Sequence, residues 1–155
     1  MTDTLRSICE QCPNLSNPRL DFIPVAFARN RDIILRDLQE LVSAATAERD
    51  RTVTLLSGTI LEAILFTLIQ SQESYISERR GAPFSINPQH SLKNFVEIFN
   101  RYFRDLMPSG ALPEFVVGYR DLVHINNELN ASPDIMAVAS RKMLRVLNTL
   151  LGELA

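Results

Sequence analysis

A chain of 155 residues, 46% hydrophobic and 22% charged, is long enough to bury one real core and has the composition of an ordinary globular domain. Lys plus Arg number 16 against 18 Asp plus Glu, a formal charge of -2. That balance excludes the strongly basic field of a dedicated duplex binder, though not a local basic patch.

Met1 to Leu20 is polar and interrupted by Pro13 and Pro18, unlike a secretory leader. With only two cysteines as well, the cytoplasm is the expected compartment. Residues 1–28 hold three prolines and little periodicity, so they read as an irregular N-terminal arm with at most one helical turn. Residues 29–155 read as the bundle domain. Within the arm, Cys9-Glu10-Gln11-Cys12 has the spacing of half a zinc site or of a redox pair. Zinc needs four ligands, and His90 and His124 are the only histidines available. A redox motif belongs beside a βαβ pattern, which this chain lacks. Two free thiols are therefore expected, with no metal or other cofactor; zinc held between subunits is the alternative.

Ile33, Ile34, Leu38, Leu41 and Val42 recur at helical spacing and predict a helix from about residue 29 to 47. A longer one follows to about Arg79. Val53, Leu56, Ile60, Leu61, Ile64, Leu65, Leu68 and Ile69 make it apolar on nearly every side, as in the central helix of a bundle. The same stretch is the only membrane candidate, but it is short for a span and carries Glu62 near its middle, so no membrane is expected. Glu62 should find a donor or keep its proton; a structural hydrogen bond is favoured over catalysis. Ser57-Gly58-Thr59 costs helix stability and points to a close neighbour.

Gly81 to Gln89, with Pro83 and Pro88, reads as a loop, and His90 as a solvated residue beside it. Ser91 caps the next helix, whose stripe is Leu92, Phe95, Val96, Phe99, Tyr102, Phe103 and Leu106. Arg79, Arg80, Lys93, Arg101 and Arg104 read either as a basic rim for RNA or as a solvated face. Pro113 suits the first turn of a helix reaching about Asn130. Ser132-Pro133-Asp134 opens the last, carried to the C-terminus by Ile135, Val138, Met143, Val146, Leu147, Leu150 and Leu154. No segment alternates as a strand does. The expected fold is all-α, an up-and-down bundle of about five helices.

The fourth of these helices carries Tyr119-Arg120-Asp121-Leu122-Val123-His124, an arginine and a histidine one turn apart. A planar permanent cation beside a side chain that titrates near neutrality can bind phosphate and move a proton. On a helical wheel, Phe115, Gly118, Tyr119, Leu122, Ile125, Asn126 and Leu129 share one arc, and Arg120 and His124 fall roughly 140° and 180° from Phe115. The pair should therefore face solvent, a cleft or a partner. A solvated face, with Asp121 or Glu128 as weak ion-pair partners, is the plain explanation.

Two separated stretches resemble the HEPN superfamily of small helical bundles. One is Leu55-Leu56-Ser57-Gly58-Thr59-Ile60-Leu61-Glu62-Ala63-Ile64-Leu65, similar to a family helix that reads as small residues, Leu-Glu, then aliphatics. The other is the run from Tyr119 to His124, similar to the family's Arg-Asn/Asp-x-x-His segment. The likeness covers roughly residues 30 to 152. It implies a homodimer whose late helices meet, and, in catalytic members, metal-independent endoribonucleases of toxin or antiviral systems. On that resemblance His124 would work on the ribose 2′-hydroxyl and Arg120 on the scissile phosphate, with Asp121, Asn127, Glu128 and Glu62 in support. Catalytic members place four to six residues between Arg and His, and here there are three. Asp121 stands where Asn is common, Val117 where some members carry their Arg, and Ile125 where Pro often follows the His. The favoured expectation is a non-catalytic module that binds RNA or a protein, such as a cognate antitoxin or nucleotidyltransferase. The alternative is an endoribonuclease using His124 and Arg120.

Overall fold

The computed structural model describes residues 3–122, 129, 131–132 and 134–155. Among them the regular structure is wholly helical: α1 Leu5–Glu10, α2 Pro13–Ser16, α3 Ala28–Thr46, α4 Asp50–Ser71, α5 Glu73–Arg80, α6 Leu92–Tyr102, α7 Phe115–Asp121 and α8 Ile135–Leu154, with 3-10 turns at Val25–Phe27 and Arg104–Leu106. The all-α expectation holds. The count of five does not, because the arm supplies α1 and α2 and the long second helix divides into α4 and α5.

Helix α4 is the axis of the fold. It buries Val53, Ser57, Leu61, Leu65 and Ile69 among others, because α3, α6, α7 and α8 all pack on it, while Arg51, Leu55 and Thr59 stay exposed. Asp50–Ser71 is long and apolar enough to cross a membrane by length and composition, yet four neighbouring helices take up that apolar surface. The helix ends where Gln72 leaves helical geometry (φ -119°, ψ 24°), and the chain resumes at once as α5. No glycine or proline marks this break. It redirects the chain so that Ile76 is buried and the Tyr75 ring lies 5.8 Å from that of Phe103. Gly81, in the left-handed region at φ 73°, then ends α5 as a glycine C-cap does.

The N-terminal arm is the largest departure from expectation. Leu5, Ile8, Cys9, Cys12, Leu15, Leu20 and Ile23 all belong to the core, as α1 and α2 lie against α3 and α8. Pro13 occupies the first turn of α2, where a missing N–H costs nothing, so a residue that suggested irregularity starts a helix. Asn14 fastens α2 to α8: its backbone N–H donates to Asn148 Oδ1 at 3.1 Å and its side-chain amide to the Asn148 carbonyl at 3.0 Å. Gly152 permits the approach, since a Cβ there would stand 2.7 Å from Asn14 Nδ2. The two cysteines are free thiols, as expected, but are buried. Burial pushes both thiols up, Glu10 adding to the effect at Cys9 and Cys9 to that at Cys12, where Arg145 partly opposes it. No third His, Cys, Asp or Glu joins them in a metal-binding group among the described residues.

Helix α6 begins where Ser91 was expected to cap it: the Ser91 N–H and hydroxyl both donate to Asn94 Oδ1, at 3.1 and 2.9 Å. Its stripe of Leu92, Phe95, Val96 and Phe99 is buried. The helix stops at Tyr102, and the tighter turn that follows swings Leu106 out to 41% exposure, against its expected place in the stripe. Asn100 then brackets the return of the chain, donating to the Leu112 carbonyl at 3.1 Å and accepting from the Leu112 N–H at 2.8 Å. Before α8, the Ser132 hydroxyl donates to Asp134 Oδ1 at 2.6 Å.

Candidate functional site

Helix α7 lies against α4 and α8, and that placement corrects the buried arc of the helical wheel, though Arg120 does face a cleft. Val116 is fully buried, whereas Phe115 and Tyr119 are only half-buried and Gly118 is exposed. Their rings, 5.2 Å apart, receive the Lys142 ammonium at 5.5 and 6.0 Å. The face toward α4 is therefore shared by Val116 and, one turn later, Arg120. A wheel centred on the bulkiest side chain put Arg120 on the far side because the apolar arc of α7 is wide. It had no means of seeing a slot on the neighbour.

That slot is Gly58. A Cβ built there would overlap Arg120 Cδ and stand 3.2 Å from Nε, so the methylene stem of Arg120 passes directly over the bare backbone of α4. Long cationic side chains commonly bury their stems while the head stays near water. One turn on, Glu62 faces the same guanidinium, with its Oε2 3.9 Å from Nε. The pair is an ion pair and not a hydrogen bond, for Arg120 Nε is buried and has no hydrogen-bond partner among the described residues. The side chains are 27% and 37% exposed, enough for solvent to screen them partly. Glu62 thus has a cationic neighbour, through a long ion pair and not the structural hydrogen bond expected for it.

Arg120, Glu62, Lys93, Ser91, Val117 and Asp121 line one cleft of about 360 Å³ between α4, α7 and the start of α6. Two cations and two carboxylates share it. Such a cleft can hold a polar or anionic group, but its carboxylates oppose any anion that enters. Among the site residues expected from sequence, the structure brings together Arg120, Asp121 and Glu62. His124, Asn127 and Glu128 lie outside the described residues. His90 is half-buried, and its Nδ1 has no partner among the described residues. Lys93 joins the cleft, but Arg79 and Arg101 sit elsewhere, over the rings of Tyr75 and Tyr102 at 5.0 and 5.4 Å. The five basic residues do not form one rim.

Sequence reasoning missed the part played by Gly58 and the entry of Ser91 into the cleft. The run Ser57-Gly58-Thr59 did signal a close approach, although what approaches is a side chain and not a helix backbone. No family model, curated protein or solved structure matches the chain.

Proposed function

We propose that the chain is an HEPN-like up-and-down bundle that binds RNA without cleaving it, acting as a homodimer in a defence or toxin-antitoxin system. The supporting observation is the way Arg120 is held: stem over Gly58, Nε buried and unbonded, head beside Glu62. An arginine pre-placed in this way offers planar donors to a phosphate at little entropic cost. Glu62 and Asp121 in the same cleft partly cancel its charge. A cleaving site must offset charge that develops in the transition state, and two nearby carboxylates work against that. Binding is the chemistry this cleft favours. The same mixture of charges would also suit a polar face of an antitoxin or nucleotidyltransferase, in which case RNA would not bind.

The test is incubation of the purified protein with single-stranded and structured RNA in EDTA, with binding followed by fluorescence anisotropy. RNA that is bound and intact, with affinity falling about tenfold in Arg120→Ala, supports the proposal. Metal-independent cleavage that disappears in His124→Ala would replace it with the endoribonuclease reading.

A further inference from the structure

A second cleft, of about 240 Å³, lies at the other end of α6, where α4 gives way to α5. Leu68, Tyr75, Tyr102, Phe103 and Leu106 give it apolar walls, and Asp105 a carboxylate at its edge. At this size it is smaller than most sites for drug-sized ligands, so it suits a single ring system. Tyr75 and Phe103 are stacked at 26°. Exposed Arg79 and Arg101 lie over Tyr75 and Tyr102, and exposed Arg104 stands in the turn that carries Asp105.

Aromatic walls with a carboxylate can also cage an organic cation. Here a guanidinium group already lies over the ring of each tyrosine, and a cationic guest would meet like charge. The complementary guest is aromatic and carries its own negative charge. We propose that this cleft receives an unpaired nucleobase, stacked on Tyr102 against the wall that Tyr75 and Phe103 form, with the attached phosphate met by Arg79 and Arg101. Stacking of bases on aromatic side chains together with arginine contacts is how single strands are held without reading sequence. Asp105 can accept a hydrogen bond from a base N–H. The guest would come either from a free nucleotide or from a single RNA strand. This site extends the RNA reading to a surface that does not include Arg120: Lys93 and Tyr102 stand about 14 Å apart along α6.

The experiment uses the full chain and two probes that report stacking by fluorescence quenching: 2-aminopurine riboside 5′-monophosphate, and an oligoadenylate RNA with one internal 2-aminopurine. Quenching that saturates, weakens about tenfold in Tyr102→Leu and survives in Tyr102→Phe supports the site. Arg79→Gln with Arg101→Gln, both at exposed positions, should weaken binding as well and steepen no loss of fold in a circular-dichroism melt. Saturation by the monophosphate identifies a free nucleotide as sufficient guest; saturation by the oligomer alone identifies a strand. Absence of quenching with both probes overturns the proposal. So does RNA binding that is lost in Arg120→Ala yet unchanged in Tyr102→Leu, a result that leaves the Arg120 cleft standing. The reverse pattern keeps the aromatic site and removes the Arg120 one.

Discussion

Two arginines reach α4 from neighbouring helices, and they are held in opposite ways. Arg141 of α8 donates from Nη1 to Asp50 Oδ1 at 3.0 Å and to the Ala137 carbonyl at 2.8 Å, and from Nε to the Asp3 carbonyl at 2.8 Å. Asp50 also accepts from the Ser140 hydroxyl at 3.0 Å. The Arg141 side chain is 18% exposed. Arg120 of α7 faces Glu62 at 3.9 Å, 27% exposed, with Nε unbonded among the described residues. Arg141 spends its donors inside the molecule and clasps the N-terminal segment to α4 and α8. Arg120 shows no such clasp at its Nε. An ion pair to the same helix thus marks architecture in one place and a candidate site in the other, and the distinction lies in how many donors are already satisfied.

Four changes would break or sharpen this contrast. The largest effect is expected from Arg141→Ala, which strips Asp50 of its cation and the Asp3 carbonyl of its donor. A loss of about 2 kcal/mol, or roughly 5 °C in Tm, should appear in thermal melts, with RNA affinity unchanged once the protein is folded. A loss no greater than that of Arg120→Ala would erase the distinction. Gly58→Ala should do the opposite. The new Cβ displaces a flexible arginine stem, while the helix gains up to about 1 kcal/mol in propensity, so stability should move by less than about 1 kcal/mol. RNA binding should fall about as far as in Arg120→Ala, roughly tenfold.

Glu62→Gln removes a long, partly exposed ion pair worth under about 1 kcal/mol and should leave the melt nearly unchanged. It also takes a carboxylate out of the cleft, and RNA affinity should rise a few-fold, at about the level anisotropy resolves. The smallest change is expected at Glu48, an exposed residue held at φ 58° in the turn between α3 and α4. Its carboxylate accepts from the Arg6 and Leu5 N–H groups at 3.1 and 3.0 Å, which holds it below the usual carboxylate range. A depressed folded-state value stabilises the protein above the ordinary Glu range, and that contribution is lost as pH falls through the folded-state value. Glu48→Gln should flatten the acid limb of stability against pH without moving the neutral melt by a comparable amount.

Much of this was legible in the residues. The 3.6-residue recurrence of Ile34, Leu38 and Leu41 is a property of one helix alone, and so is the largely apolar character of α4. Ser91 announced a helix start because a cap is a local transaction between neighbouring groups; the last helix begins after Asp134, and Ser132, expected to cap it, bonds to Asp134 instead. The arm misled because its apolar residues are spread over α1, α2 and the turns between, each too short to show a period. Burial against α3 and α8 holds them in place, as tertiary packing does for short helices in general. The break at Gln72 left no trace either, since what accompanies it is the stacking of Tyr75 on Phe103, just past the end of α6.

For the cleft, the chain alone marked Arg120 and Glu62 as residues needing partners and Gly58 as a place where something comes close. It did not reveal that these three statements describe one contact. The helical wheel treats every direction away from the apolar arc as equivalent, whereas the packing of α7 on α4 makes one direction a slot floored by bare backbone. Sequence periodicity determined the long helices, α3, α4, α6 and α8, and the face of each that seeks burial. Only the tertiary structure decided which charge lies over which glycine, because that depends on the rotation of two helices against each other, and no local pattern encodes it.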